Sequence, residues 1–404
     1  MNIWILKSGE PIPQRSDGRP MRAGLLSEYL ANKEHKVTWW TSSFDHQEQK
    51  FIWDEHTRFK QNEHLSIQAI HALPGYQNNI SFKRFLNHKR VANNFASLAS
   101  HEKKPDCIFA CLPTIDMAYA ALKYGKERNI PVIIDLRDKW PAIFESAVPK
   151  ALRFAIRIAL RRQYKMARDV LKNCNTLVAI SQEYLDWATS FGNRAENSSN
   201  HVIPIGYPAQ PLHSRGSKND QSINVFFSGT LGFSYDIETV VNAARILEKT
   251  HPHIRFSLAG KGEKEHIVQQ GAAELKNLCY LGWLKKIELH EQLQKCDIGL
   301  SAYTKKATQS IPNKPIEYMA YSLPQINSIT GEMKDILASN QAGLQYTAGN
   351  AECLSEQIKK LATNSTLRKK LAQNALVCFQ KNFELQSINA KLEALIKHQI
   401  KAKF

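Results

Sequence analysis

The sequence is poor in the features that mark membrane, secreted and fibrous proteins. It contains no run of about 18 apolar residues, so it predicts no membrane-spanning helix. Its first residues lack the basic region and the long apolar region of a signal peptide. With 18 glycines and 16 prolines among 404 residues, it is neither collagen-like nor of low complexity. We therefore expect a globular protein in the cytoplasm.

Cysteine is scarce and irregularly placed. The seven cysteines are an odd number, and none of them is spaced as C-x2-C. This pattern disfavours a disulfide framework and a zinc site with the usual ligand spacing. We predict free thiols, mostly buried, in a reducing compartment.

Acidic residues are too few to balance the basic ones. The 54 lysines and arginines exceed the 37 aspartates and glutamates, which leaves a formal net charge of +17. Anionic partners are therefore expected: nucleotides, phospholipid headgroups, phosphorylated substrates or nucleic acid. The sequence shows no helix-turn-helix, RNP or zinc pattern, and this disfavours a nucleic-acid-binding protein.

The order of apolar segments predicts the fold class. Short runs rich in valine, isoleucine and aromatic residues alternate with longer helical patterns, as in parallel α/β layers. We predict an α/β protein with two Rossmann-like, doubly wound domains facing an interdomain cleft that binds the ligand. The predicted boundaries are 1–206 for the first domain, 207–221 for a linker broken by proline and glycine, 222–384 for the second domain, and 385–404 for a helix that packs back on the first.

The predicted strands follow the apolar runs. In the first domain they are 3–6, 37–41, 66–71, 106–111, 131–135, 176–180 and 201–204. In the second domain they are 223–228, 254–259, 278–281, 297–302, 325–329 and 343–346.

Two glycine-containing turns follow strands of the second domain. The first holds Gly229, Thr230 and Gly232 ahead of a helical pattern, where close backbone approach and helix N–H groups suit a diphosphate. An ordinary turn with Asp236 as N-cap explains the same residues. The second turn places Lys261 between two glycines at the same sheet edge, which favours the phosphate interpretation. Neither turn has the spacing of a G-x-G-x-x-G motif or a P-loop.

A third polar loop runs into a helix whose first turn holds Lys314 and Glu317. Three residues apart on one helix face, these side chains suit an anionic group and a ribose diol respectively. A salt-bridged pair at an exposed helix start is the alternative, and the residues alone leave the two interpretations even.

The motifs in order resemble a GT-B glycosyltransferase of the retaining family 4 type, close to the branch that builds bacterial surface polysaccharides such as capsule or lipopolysaccharide. The resemblance covers nearly the whole chain. In the first half it rests on Asp17-Gly18-Arg19-Pro20, Ser42-Ser43-Phe44-Asp45-His46, Asp135-Leu136-Arg137-Asp138 and Val202-Ile203-Pro204-Ile205-Gly206. In the second half it rests on Phe227-Ser228-Gly229-Thr230, Leu258-Ala259-Gly260-Lys261-Gly262, Tyr280-Leu281-Gly282-Trp283, Asp297-Ile298-Gly299-Leu300 and Pro312-Asn313-Lys314-Pro315-Ile316-Glu317.

The resemblance implies a role for each candidate residue. Glu317 matches the second glutamate of the family's E-x7-E motif and would bind the ribose, whereas Gln309 stands where the family has the first glutamate. The family's cation pair after the Gly229 turn is missing, so Lys314, with Lys261, would neutralise the diphosphate. The predicted catalytic residues are Lys314, Gln309 and Asp138. The predicted nucleotide-sugar-binding residues are Gly18, Arg19, Gly229, Thr230, Gly232, Lys261, Gly282, Trp283, Ser310, Asn313, Lys314 and Glu317.

Several polar residues of the first domain are predicted near the acceptor. Arg137 and Asp138 end a strand near the predicted cleft, and we favour an acceptor-side role over a buried ion pair. Arg22 would face the phosphates or lie on the surface. His46 is a weaker candidate of the same kind.

The implied reaction is transfer of a hexose or N-acetylhexosamine, with retention, from a UDP-linked sugar to an undecaprenyl-diphosphate-linked saccharide. The leaving diphosphate can itself accept the proton of the acceptor, and no metal or cofactor is expected because no D-x-D triplet is present. A nucleotide-sugar epimerase of the same fold is the alternative, although the cleft carboxylates and histidines for its proton transfers are not evident.

A basic segment between residues 150 and 172 predicts where the acceptor is held. Its cations recur at three- and four-residue steps beside an apolar stripe, which indicates one amphipathic basic helix. We expect it to bind an anionic membrane surface, so that the protein is peripheral on the inner face of the plasma membrane. A core-packed helix with a solvated face is the alternative. The predicted membrane and acceptor residues are Arg153, Arg157, Arg161, Lys165 and Arg168.

Overall fold

The computed structural model describes residues 1–13, 20–46, 48–78, 81–146, 148–211, 222–307 and 309–402. They form two compact units. Unit 1 consists of Met1–Pro204 and Ile388–Phe404, and unit 2 is Ile205–Ser387. The C-terminal segment reaches the core of unit 1 through helix α15 (Leu385–Lys401), which buries three apolar side chains there: Ile388, Leu392 and Ile396.

Unit 1 contains an eight-stranded sheet in the order β10-β9-β8-β7-β1-β2-β6-β5. Every neighbouring pair is parallel except β5 and β6, which are antiparallel. Helices cover the sheet, and this explains its nearly continuous apolar strands. The strands are β1 (Asn2–Leu6), β2 (Lys36–Ser42), β5 (Thr57–Lys60), β6 (Leu65–Ile70), β7 (Cys107–Leu112), β8 (Val132–Leu136), β9 (Thr176–Ala179) and β10 (Asn200–Val202), and β3 (Phe44–Asp45) forms a separate antiparallel pair with β4 (Lys50–Phe51).

The helices of unit 1 begin and end at recognisable caps. Ser81 and Ser181 accept hydrogen bonds from N–H groups three residues ahead, each at 3.2 Å. Asn129 and Asn193 end their helices in the left-handed region, which asparagine tolerates better than most residues. The helices are α1 (Arg22–Asn32), α2 (Phe82–Ser100), α3 (Ile115–Arg128), α4 (Ile143–Ser146), α5 (Arg153–Ala159), α6 (Arg161–Asn173) and α7 (Gln182–Gly192).

The predicted single basic helix is wrong. A 3-10 turn at Lys150–Leu152 leads into α5, and Leu160, at φ −100° and ψ 16°, separates α5 from α6. The Glu145 carboxylate of α4 accepts hydrogen bonds from Arg157 before the break and from Tyr164 after it. The charges therefore lie on two helices rather than along one stripe.

Unit 2 contains a parallel six-stranded sheet in the order β13-β12-β11-β14-β15-β16, with its core on both faces. The strands are β11 (Ile223–Ser228), β12 (Ile254–Ala259), β13 (Leu278–Tyr280), β14 (Ile298–Ser301), β15 (Gln325–Asn327) and β16 (Gly343–Gln345). The helices are α8 (Ile237–Thr250), α9 (Glu265–Glu274), α10 (Lys286–Lys295), α11 (Asn313–Ala320), α12 (Glu332–Ser339), α13 (Ala351–Thr363) and α14 (Ser365–Asn382).

The predicted α/β class with two mainly parallel sheets is confirmed. All seven cysteines carry free thiols, and five of them are buried, as predicted. In the described part of the chain, no helix combines the length and apolar character needed to cross a membrane.

Candidate functional site

Three loops interlock at the carboxyl edge of the unit 2 sheet. The N–H of Gly229 donates to Ala259 O at 2.9 Å, and the N–H of Leu231 donates to Lys261 O at 2.8 Å. The loop after β13 joins them, because the N–H of Gly260 donates to Gly282 O at 2.7 Å. The Gly229 and Lys261 turns, which the sequence placed at one sheet edge, are indeed neighbours, and the Gly282 turn lies beside them.

Two glycines are required by this arrangement. Gly229 and Gly260 have φ values of +154° and +144°, a conformation that residues with a Cβ rarely adopt. A Cβ on Gly260 would overlap the carbonyl oxygen of Gly229, and a Cβ on Gly229 would collide with the ammonium of Lys314. The loops thus leave room for one cation beside the Gly229 backbone.

Lys314 is that cation, and it is held from the first turn of α11. The side chain is buried, and its Nζ lies 5.0 Å from the ring centroid of Phe227 and 5.2 Å from that of Tyr235. Such cation–π contacts stabilise a partly desolvated ammonium. The ammonium of Lys314 therefore places a positive charge beside the Gly229 backbone, where an anionic group can approach.

Glu317 lies one turn further along α11 and is also buried. Its Oε1 accepts a hydrogen bond of 2.7 Å from the hydroxyl of Tyr207. Tyr207 is held in turn by backbone hydrogen bonds to Phe383 and Leu385, of 2.9 and 3.0 Å. Sequence reasoning missed Tyr207, which fell at the start of the predicted linker and carries no local signal beyond its flanking glycine and proline.

The loop before α11 contributes a buried hydroxyl. Ser310 is 3% exposed, and its Oγ has no hydrogen-bond partner within the described residues. Burying an unpaired hydroxyl is unfavourable, so a ligand that pairs with it would gain binding energy. The other predicted residues of this edge are exposed to solvent: Thr230, Lys261, Trp283, Gln309 and Asn313.

Thr230 lies in a turn ahead of a helix, as the sequence predicted. Helix α8 begins only at Ile237, because the chain first makes a tight turn in which Tyr235 N–H donates to Gly232 O. Asp236 does not cap that helix with its side chain. Its carboxylate instead accepts hydrogen bonds from Thr239, from Tyr346 and from the N–H of Gly349, and so ties α8 to the loop before α13.

The acceptor-side prediction for Arg137 is wrong, and the buried ion pair is what the structure shows. Arg137 binds Asp135 at 2.6 Å and also Glu10. Arg22 pairs with the other Asp135 oxygen at 3.0 Å, so it is not on the surface either. Glu10 accepts from the N–H groups of Ala23 and Gly24 as well. These four charged groups hold α1 against β8.

Asp138 lies apart from that network. Burial raises the pKa of its carboxyl, while the cations of Lys7, Arg84 and Lys139 act in the opposite direction. Its Oδ1 accepts a hydrogen bond of 2.7 Å from the N–H of Lys139. The Asp138 carboxyl therefore lies near the cations Lys7 and Arg84 of unit 1. Gly18 and Arg19 fall outside the described residues.

Three of the five predicted membrane residues line a surface pocket of unit 1. Arg153, Arg157 and Arg168 line a pocket of about 450 Å³ together with Trp187 and Phe191, whose rings stack at 4.9 Å. Arg161 and Lys165 are exposed on α6. Three apolar side chains of the same segment, which the sequence placed on a core-facing stripe or did not mention, are more than half exposed: Leu152, Phe154 and Ile158.

Solved structures of similar fold cover the whole chain. Sucrose-phosphate synthase of Thermosynechococcus elongatus is 16% identical, with a TM-score of 0.76 and 99% of both chains covered. HepE of Anabaena, solved with UDP, is 14% identical, with a TM-score of 0.67, 98% of this chain covered and 99% of HepE. The fold is therefore that of the GT-B glycosyltransferases, with two Rossmann-like units in one chain.

The sequence of unit 2 matches a family model. The family model for glycosyl transferases group 1 matches residues 210–376, a range that includes all three interlocked loops and α11. Residues 210–376 are thus similar to the group 1 glycosyltransferases.

Two curated proteins resemble part of the chain. EpsD of Bacillus subtilis (strain 168), provisionally named a glycosyltransferase, is 24% identical over 175 residues, or 43% of this chain and 44% of EpsD. Chitobiosyldiphosphodolichol beta-mannosyltransferase of Eremothecium gossypii is 25% identical over 185 residues, or 43% of this chain and 37% of that protein. The match therefore spans less than half the length of both relatives.

Proposed function

We propose that the protein is a retaining glycosyltransferase that moves a hexose or N-acetylhexosamine from a UDP-sugar to a lipid-linked saccharide. The observation that carries the proposal is the pairing of Lys314 and Glu317 on one buried helical turn beside the Gly229 loop. A group 1 family match over the same residues supports it, as do HepE structures solved with UDP and with UDP-glucose.

The proposed donor site assigns a task to each group. Tyr207 orients Glu317, and the Glu317 carboxylate accepts hydrogen bonds from the ribose hydroxyls. The ammonium of Lys314 neutralises the diphosphate beside the Gly229 backbone. Ser310 supplies a hydroxyl to the same diphosphate. Gln309, exposed at the start of this loop, contacts the sugar through its amide, and Trp283 lies along the base.

The proposed mechanism needs no protein nucleophile. The acceptor hydroxyl attacks the anomeric carbon on the face from which the diphosphate leaves, and the leaving oxygen takes its proton. The fixed charge of Lys314 then stabilises the departing diphosphate in a buried setting, where electrostatic stabilisation is strongest. Asp138 is proposed to orient the acceptor.

Nucleotide sugars should stabilise the folded protein, since a ligand that binds only the native state raises the melting temperature. We expect UDP and one UDP-sugar to raise the melting temperature. Glu317→Gln should weaken the binding of both ligands by about 10- to 100-fold, because each hydrogen bond from the ribose to a charged group contributes roughly 1.5–3 kcal/mol. Tyr207→Phe should weaken them less, since the carboxylate remains. The measurement is thermal shift across UDP-, GDP- and ADP-sugars.

An exposed glutamate of α13 provides the matched control. Glu356→Gln changes the same functional group in the same unit and should leave binding unchanged. If no nucleotide sugar stabilises the wild type, or if Glu317→Gln responds like the control, the donor site is misassigned. Epimerisation of the sugar without transfer would favour the nucleotide-sugar epimerase instead.

We place the lipid-linked acceptor, an undecaprenyl-diphosphate saccharide of surface polysaccharide synthesis, at an anionic membrane surface that unit 1 contacts through residues 150–172. The support is the combination of exposed apolar side chains, Phe154 and Ile158 among them, with the cations Arg153, Arg161 and Lys165. Apolar groups that insert and cations that attract are the two components of interfacial binding.

The double variant Phe154→Ser/Ile158→Ser should lose vesicle binding. Each side chain contributes roughly 1.5–3 kcal/mol when buried, so we expect at least a tenfold weaker partition onto phosphatidylglycerol-containing vesicles in co-sedimentation. Ile287→Ser, which alters an even more exposed isoleucine of unit 2, is the control. Equal binding of all variants, or no preference for anionic over zwitterionic vesicles, would contradict this membrane surface.

A further inference from the structure

A second cavity lies in unit 1, and its lining shares no residue with the pocket beside the membrane residues. It measures about 160 Å³ and lies at the carboxyl ends of β1, β2 and β7. Since a water molecule occupies roughly 30 Å³, the cavity has room for a group the size of a phosphate. Its lining has no carboxylate among the described residues and includes Lys7, Ser8, Ser42, His46, Arg84, His88 and Thr114.

Two cations give this cavity a positive potential. Lys7 donates to Pro113 O at 2.8 Å, and Arg84 lies over the rings of Trp140 and Tyr76, at 5.0 and 5.6 Å from their centroids. Their effect is visible on a neighbouring imidazole: burial, together with the charges of Arg84 and Lys7, lowers the pKa of His88 to about 3.

The carboxylates that act on Lys7 lie outside the cavity lining. Burial lowers the pKa of Lys7, and repulsion from Arg137 lowers it further, although Glu10 and Asp135 act in the opposite direction. Asp138 also lies near Lys7 and Arg84, but it is not part of the cavity lining. An additional negative charge inside the cavity would be favourable.

Three polar atoms of the lining have no hydrogen-bond partner within the described residues. They are the hydroxyls of Ser8 and Thr114 and the Nδ1 of His46. Thr114 is only 5% exposed and directly precedes α3, yet its side chain makes no capping bond. The first N–H groups of that helix add positive partial charge at the same end. Buried unpaired groups of this kind are the exception in native proteins.

We propose that this cavity binds a phosphate group, with Lys7 and Arg84 as counter-ions and Ser8, His46 and Thr114 as hydrogen-bonding partners. Resting on the proposed function, the assignment makes the glycosyl acceptor a phosphorylated molecule whose phosphate is held in unit 1. Charge-assisted hydrogen bonds from two cations are the strong interactions of such a site.

The test is the stabilisation of the protein by inorganic phosphate, measured as melting temperature against phosphate concentration at constant ionic strength. We expect a saturable increase for the wild type. Lys7→Met and Arg84→Gln should each weaken the apparent affinity by at least about tenfold. Lys83→Gln, which removes an exposed cation of the same helix as Arg84, should behave like the wild type.

The donor site is the main competitor for phosphate, and Lys314→Met separates the two. The phosphate response should persist in Lys314→Met and in protein saturated with UDP. A response lost in Lys314→Met but kept in Lys7→Met and Arg84→Gln would overturn the proposal, as would no response in the wild type. If one cavity variant does not fold, as judged by circular dichroism, the other still decides the result.

Two organic phosphates distinguish the sources of the group. Competition with inorganic phosphate by glucose 6-phosphate would indicate a sugar phosphate, and competition by farnesyl diphosphate would indicate an isoprenyl diphosphate. If neither competes, the phosphorylated acceptor is refuted. Failure of UDP-sugars to bind would refute the proposed donor site and leave the phosphate measurement unaffected.

Discussion

Replacing Lys314 with methionine is expected to lower kcat/KM for sugar transfer by about 100- to 1000-fold. A fixed donor aimed at developing charge contributes roughly 2.7–4 kcal/mol to transition-state stabilisation. Methionine keeps the side-chain length against Phe227 and Tyr235 but removes the ammonium beside Gly229. The loss should appear mainly in kcat, because the leaving diphosphate carries more charge than the bound donor.

The control is Lys334→Met, which removes an exposed lysine of α12 in the same unit and should keep the wild-type rate. Initial rates with the UDP-sugar identified by thermal shift provide the measurement. A Lys314→Met protein that is folded and transfers sugar at the wild-type rate would exclude Lys314 from the catalytic site. Lys261→Met should cost much less, because that side chain is exposed to solvent.

Asp135→Asn is expected to destabilise unit 1 by about 3–5 kcal/mol, the usual cost of removing one partner from a buried ion pair. Asp135 is fully buried and binds both Arg22 and Arg137. Asparagine would leave the two guanidinium groups with Glu10 as their remaining carboxylate in the network. Urea unfolding followed by tryptophan fluorescence measures the change, since six of the seven tryptophans lie in unit 1.

The effect of Asp135→Asn should depend on pH. Burial alone would raise the pKa of Asp135, but Arg22 and Arg137 outweigh it and hold the pKa below its ordinary value. A carboxyl with a lowered folded-state pKa stabilises the protein above its unfolded pKa of about 3.9 and loses that contribution as the pH falls through the folded value.

The difference between wild type and variant should therefore be full near pH 7 and shrink below about pH 4. Asp54→Asn, at an exposed aspartate of the same unit, should change stability little at any pH. A difference of less than 1 kcal/mol at pH 7, or one that grows in acid, would show that the buried network does not stabilise unit 1 in this way.

The strands of both sheets were predictable where the local pattern was strong. The predictions at 223–228 and 254–259 match β11 and β12 residue for residue, because buried parallel strands require nearly continuous apolar runs. The segments β3, β4 and β5 were missed. They are only two to four residues long, and their pairing partners, not their own residues, make them strands.

The basic segment illustrates the opposite error. Its period of three to four residues is real, and α5 and α6 are both helical, but the chain breaks at Leu160, between two residues that both bind Glu145. A local pattern cannot report a carboxylate supplied by another helix. For the same reason Phe154 and Ile158 could not be recognised as exposed until the neighbouring elements were in place.

The sequence by itself determined the α/β class, most of the strands and the loops that carry Gly229, Lys261 and Lys314, because each depends on residues close together in the chain. Only the tertiary structure decided that Tyr207 binds Glu317 and that Arg137 forms buried ion pairs. It also decided that a cationic cavity forms around Lys7 and Arg84. Tyr207 and Glu317, Arg137 and Glu10, and Lys7 and Arg84 are each separated by 75 residues or more along the chain, and only the packing of the folded chain brings them together.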